Sequence, residues 1–129
     1  MLNDPIANAF SKIMNAELTA KKECTLKPIS KVLSKLLSMM NDLRYIGDFK
    51  VIKDGKGDMI QINLIGKINK CQVIKPRYPV KHNEFEKFEK RYLPAKEFGI
   101  IFVSTPQGIM THNEAKEKKL GGRLLAYVY

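Results

Sequence analysis

The last thirty-odd residues constrain the fold most, because between Phe98 and Tyr129 apolar runs and chain breakers alternate at short intervals. Ile100-Ile101-Phe102-Val103 is short, apolar and partly β-branched, the composition of a buried strand. It runs into Ser104-Thr105-Pro106-Gln107-Gly108, where two hydroxyls, a proline and a glycine fall within five residues. Such a stretch is expected to leave the strand as a loop, exposing backbone N–H groups and small donors. Thr111 stands three residues before Glu114, a capping-box spacing that predicts a helix over Asn113–Lys119. Gly121-Gly122 is expected to stop that helix, and Leu124–Tyr129 alternates as a closing strand. The pattern therefore holds a polar loop and a double glycine between two strands and a helix.

Upstream, the same reasoning gives a compact first half. Asp4-Pro5 is a helix start, since Asp4 can cap and proline suits a first turn whose N–H lacks a partner. Ile6, Phe10, Ile13 and Met14 then form one apolar stripe, with Asn3, Lys12 and Asn15 off it. Thr25-Leu26-Lys27 before Pro28 predicts a short edge strand. Ser30 is placed to cap a second helix that turns Leu33, Leu36, Leu37, Met40 and Leu43 inward and ends at Gly47. Asp48–Lys53 and Met59–Ile65 alternate as strands about Asp54-Gly55-Lys56-Gly57. No helix follows that Gly-x-Gly, which makes it a hairpin turn and not a phosphate loop.

Gly66-Lys67 marks a seam, giving an N-terminal α/β lobe over residues 1–66 and a β-rich C-terminal lobe over 67–129. The second begins with a strand over Ile68–Ile74 and the proline-stiffened segment Lys75-Pro76-Arg77-Tyr78-Pro79. Glu84–Arg91 brings Phe85, Phe88 and Tyr92 to helical spacing before Leu93-Pro94 ends the run. An apolar fraction of 44% over 129 residues supports a core of this α+β kind.

Chemistry is scarce in the sequence. His82 and His112 lie apart in polar segments and are expected at the surface. The acidic residues interleave with lysines, as solvated helix faces do. There is no HExxH, P-loop or Gly-x-Ser-x-Gly motif, so no enzyme is expected. Cys24 and Cys71 have neither zinc spacing nor a histidine nearby, and are expected to be reduced core residues, with no metal or other cofactor. No apolar run approaches the roughly 18 residues of a membrane helix, and no signal-peptide pattern opens the chain, so a cytoplasmic protein with no membrane partner is expected.

Binding accounts for more of the residues. Twenty-three Lys and Arg against thirteen Asp and Glu leave a net charge of +10, a field suited to a polyanion. The cations gather as Lys21, Lys22, Lys27, Lys31 and Lys35, and again as Lys67, Lys70, Lys75, Arg77 and Lys81. Lysines on phosphates position a protein without reading sequence. The hydroxyls of Ser104 and Thr105 serve either an RNA contact or their own turn, and the residues alone do not choose between these.

Ser104-Thr105-x-x-Gly108-Ile109-Met110-Thr111, then Ala115-Lys116 and Gly121-Gly122-x-Leu-x-Ala-Tyr-Val, resembles the C-terminal signature of the S-eight family of small-subunit ribosomal proteins. Asp4-Pro5-Ile6-Ala7 and Pro28-x-Ser30-Lys31 are similar to the family's N-terminal half. The segment from Lys75 to Pro94 resembles its archaeal or eukaryotic branch. The resemblance implies a monomer within the ribosome that contacts neighbouring ribosomal proteins and takes no small-molecule substrate. It implies direct binding to an irregular stem in the central domain of small-subunit ribosomal RNA. Ser104, Thr105, Gln107 and Gly108 would form one wall of the site and Gly121, Gly122 and Arg123 the other, with Lys31 on the flanking stem. Two positions depart from the pattern. Pro106 replaces a small hydroxyl residue, and Arg123 stands where bacterial members tend to be acidic, leaving it either phosphate or a protein carboxylate as partner. The rival reading is a basic protein–protein adaptor without sequence-specific RNA binding.

Overall fold

A computed structural model describes residues 5–26, 31–53, 58–75, 77–95 and 98–129. The expected caps at Asp4 and Ser30, together with Asn3, Lys27, Pro28 and the turn over 54–57, lie outside them. The backbone divides into two compact units, Met1–Asn69 and Lys70–Tyr129.

The first unit runs α1 (Pro5–Leu18), β1 (Glu23–Leu26), α2 (Lys31–Asp42), β2 (Phe49–Lys53) and β3 (Asp58–Asn63). Its antiparallel sheet has the order β1-β3-β2, so β1 is the expected edge strand. Cys24 pairs with Ile62 and Leu26 with Ile60, which puts all four side chains on one face. All four are buried, as are Ile6, Phe10 and Ile13 of α1 and Leu33, Leu36, Leu37 and Met40 of α2. Each large apolar side chain so buried contributes about 2 kcal/mol. Leu43, expected inward, lies past the end of α2 and is 40% exposed.

Three helices end alike, and none ends on glycine. In α1 the Lys21 N–H bonds the Ala16 carbonyl at 2.9 Å and the Ala20 N–H bonds that of Glu17 at 3.1 Å, with Ala20 at φ 56°. In α2 the Tyr45 and Arg44 N–H groups reach the carbonyls of Met40 (2.9 Å) and Asn41 (3.0 Å), and Arg44 has φ 64°. This is the Schellman closure, with an ordinary side chain in the left-handed position that glycine usually fills. Gly47 therefore does not stop α2. Its N–H bonds the Asn63 carbonyl at 2.8 Å, at the end of the sheet.

The second unit runs β4 (Cys71–Val73), β5 (Pro79–Val80), α3 (Phe85–Tyr92), β6 (Ile100–Thr105), β7 (Gly108–Thr111), α4 (His112–Glu117) and β8 (Gly122–Val128). Strand β8 is central: β4 and β5 bond one of its edges, β6 the other, and β7 lies beyond β6. Val103 pairs with Leu124 but Phe102 with Ala126, so Leu125 is a bulge residue. The Leu125 carbonyl accepts instead from the Ile74 N–H at 2.9 Å. One core gathers Ile74, Val80, Phe85, Phe88, Leu93, Ile101, Val103, Met110, Ala115, Leu124 and Tyr127.

The structure corrects several expectations here. The strand expected over Ile68–Ile74 shortens to Cys71–Val73, and the proline-stiffened segment ends in β5, on the edge that tolerates a missing N–H. The closing strand begins at Gly122, not Leu124. Thr111 caps α4 through an N–H of Glu114 at 3.2 Å, as its spacing predicts, but the helix spans His112–Glu117. It stops in a third Schellman closure, Leu120 N–H to Ala115 (2.9 Å) and Lys119 N–H to Lys116 (3.2 Å), with Lys119 at φ 55°. Gly121-Gly122 has another purpose.

Candidate nucleic-acid interface

Ser104 and Thr105 do not leave the strand. They are its last two residues, Gly108 opens β7, and Pro106-Gln107 forms a two-residue turn between them. Pro106 fixes φ near −65°, which excludes the primed turns that suit the twist of a two-residue hairpin. Gly108, at φ +117°, takes up the difference, and a Cβ there would meet nothing within 4 Å. Glycine is needed at 108 for its backbone and not for space.

The two hydroxyls have different fates. Thr105 is buried, and its Oγ1 donates to the Gly108 carbonyl at 2.7 Å while accepting from the Gln107 N–H at 3.2 Å. Its donor is spent inside the turn. Ser104 is exposed and makes no side-chain hydrogen bond to a described residue. It stands between Ile109 of β7 and Arg123 of β8, so its hydroxyl remains open beside an exposed guanidinium. Arg123 makes no ion pair with a described carboxylate.

The double glycine lets β8 enter the sheet. A Cβ on Gly121 would lie 2.6 Å from the Val80 carbonyl oxygen, and one on Gly122 would overlap that of Ser104. No side chain fits between these strands. Ser104, Gly122 and Arg123 are therefore neighbours across β6 and β8, while Thr105, Gln107 and Gly108 form the hairpin tip. Lys31 belongs to the other unit, exposed at the first residue of α2. In that unit Lys12, Asn15, Thr19 and Lys21 line an open cleft with Glu23, Cys24 and Thr25. Lys12 and Asn15 are off-stripe residues in the sequence, but only the return of β1 beside α1 makes a cleft of them. Cys24 and Cys71 are buried, and burial pushes the Cys24 pKa up against the pull of Lys12 and Lys21.

His112 overturns its expected surface position. It is 1% exposed, with Nδ1 accepting the Ile101 N–H at 3.1 Å and Nε2 lying 3.3 Å from Oε1 of Glu89. Glu89, read from the sequence as a solvated helix charge, is also buried and pairs with Lys116. Burial lowers the His112 pKa, against the opposing pull of Glu89. The signal for Glu89 was its spacing from Phe85 and Phe88 on the inner face of α3; His112 gave no local signal.

Among the described residues no three His, Cys, Asp or Glu side chains come together to hold a metal ion. No helix among them is long and apolar enough to cross a membrane. Fold and site define a small basic α+β protein whose prepared polar surface suits binding. The family described as ribosomal protein S8 matches residues 4–129, and the chain belongs to that family. It is accordingly a structural, rRNA-binding protein of the small ribosomal subunit, working in the ribosome beside neighbouring ribosomal proteins.

Proposed function

We propose that the β6–β7 hairpin and the start of β8 grip an irregular stem in the central domain of small-subunit ribosomal RNA, and that the protein, as a monomer, helps this region assemble. The observation that carries the reading is the juxtaposition of the open Ser104 hydroxyl with Arg123 on adjacent strands. A hydroxyl donates and accepts, so it can meet a ribose or base edge, while the guanidinium beside it takes a phosphate. With no described carboxylate on Arg123, phosphate is the favoured one of its two partners. Thr105, Gly121 and Gly122 prepare the geometry, and Gln107 and Gly108 offer the exposed tip. Lys31, with Lys12 and Lys21, supplies phosphate contacts that hold without discriminating.

Chemical footprinting of small-subunit RNA with and without the protein tests this. Protection of one short irregular stem is expected, and it should disappear with Ser104→Ala more readily than with Lys31→Ala. Protection spread evenly over regular helices, or none at all, would favour the adaptor reading.

A further inference from the structure

The hairpin is closed at its root by a side chain. Phe102 and Thr111 form its last backbone pair, and beyond Thr111 the chain turns into α4. The next N–H of β6 on that side, from Ile101, would face an absent strand. A buried N–H left so is costly, which makes its actual partner informative. That partner is Nδ1 of His112, the residue directly after β7. The ring thus ties the incoming strand to the residue that follows the outgoing one.

This bond sets the protonation state. Nδ1 can accept only in the neutral ring, so the ring proton sits on Nε2, 3.3 Å from a Glu89 Oε1 that accepts no hydrogen bond from a described residue. Glu89 faces the ring from α3, Lys116 from α4 and the Ile101 N–H from β6. A second ring proton would set donor against donor at Ile101.

We infer that His112 is a positioning residue for RNA binding: neutral, it closes the root of the β6–β7 hairpin, and protonated, it opens that root and weakens the grip of the tip. The inference rests on the reading that the hairpin is the RNA contact. Because burial lowers the folded-state pKa, the unfolded chain takes up the proton first. The stabilisation is therefore whole above the ordinary histidine value of about 6.5 and declines as pH falls below it. The direction is diagnostic, since added positive charge by itself would strengthen binding to RNA at low pH.

The test compares His112→Asn, whose amide oxygen can replace Nδ1, with His112→Gln, which reaches toward Glu89 and leaves Ile101 without an acceptor. Amide exchange at Ile101 and Gln107 is measured alongside affinity for small-subunit RNA and for a regular RNA duplex. His112→Gln is expected to weaken small-subunit RNA binding about fivefold, the worth of one ordinary hydrogen bond. It should also speed Ile101 exchange and leave duplex binding unchanged, while His112→Asn stays within about twofold of the parent in each. As pH falls below the ordinary histidine value of about 6.5, the parent should lose small-subunit RNA affinity relative to His112→Asn. Equal behaviour of the Gln variant and the parent overturns the inference, as does parent affinity that rises at low pH in step with His112→Asn. Ser104→Ala separates the two layers. If it weakens binding while His112→Gln does not, the failure belongs to His112. If neither affects binding although Ile101 exchange responds, the hairpin reading has failed, and the inference with it.

Discussion

The hairpin tip and the exposed lysines of the first unit present polar groups to solvent in opposite ways. Ser104 is a short side chain on a strand bonded along both edges, and its neighbour Thr105 spends its own hydroxyl holding the turn. Lys12, Lys21, Lys22, Lys31 and Lys35 are exposed and stand on long flexible stems. Immobilising one lysine side chain costs roughly 1.5–2 kcal/mol in rotamer freedom, whereas a hydroxyl on a fixed strand loses almost none. A mobile ammonium finds a phosphate anywhere on a duplex. A fixed hydroxyl meets its partner only where the RNA brings a group to it. Affinity and discrimination are therefore expected to come from different units.

The largest expected effect is on the frame of the tip. Gly122→Ala places a Cβ against the Ser104 carbonyl oxygen, a rigid backbone atom. Urea denaturation should show a loss of about 3 kcal/mol, the upper end for overpacking. A near-neutral result would mean that β8 can move away from β6 and that the tip is less fixed than described.

Next is Thr105→Val, which removes the bonds to Gly108 and Gln107. Stability should fall by roughly 1–2 kcal/mol, and binding to small-subunit RNA should fall more than binding to a regular duplex. Equal losses on the two RNAs would deny the turn a part in discrimination.

Lys31→Ala should break only the other side of the comparison. Filter binding across a salt series is expected to show about a fivefold loss on any RNA and a salt slope lower by about one unit. A loss confined to one RNA would make Lys31 a reader of structure.

The smallest effect inverts a familiar sign. Alanine to glycine at a helix end usually destabilises, but Ala20 sits at φ 56°. Left-handed backbone costs a non-glycine residue roughly 1–2 kcal/mol and glycine's extra freedom about 0.5–1. Ala20→Gly should therefore stabilise the protein by about 0.5 kcal/mol, with no change in RNA discrimination. Destabilisation in thermal melts would contradict the Schellman reading of that helix end.

Periodicity made the helices and most strands legible, because each buries one stripe or one face of apolar side chains. Ile6, Phe10 and Ile13 announced α1, and Thr111 with Glu114 announced the cap of α4. Helix ends were harder to read, since Arg44 and Lys119 accept the left-handed position where the reading looked to Gly47 and Gly121-Gly122, and Ala20 does the same in α1. The glycines themselves were visible, but their reason was not: Gly121 and Gly122 answer to Val80 and Ser104, remote in sequence and close only across the sheet. For the same cause, one threonine hydroxyl proved internal and its serine neighbour open. Which way a strand residue faces follows from register, and a sequence read alone does not fix register around a bulge.

Discrimination itself is the quantity to measure. The ratio of affinities for the stem protected in footprinting and a regular duplex of equal length should be determined for the parent, Ser104→Ala and Lys31→Ala at several salt concentrations. Removal of a hydroxyl that meets a buried RNA group costs about 1–3 kcal/mol, so Ser104→Ala should lower the ratio by roughly fivefold to a hundredfold. Lys31→Ala should leave the ratio where it was while lowering both affinities. A Ser104→Ala protein that is folded and keeps the parent ratio would contradict the account and return the hairpin to a purely structural part.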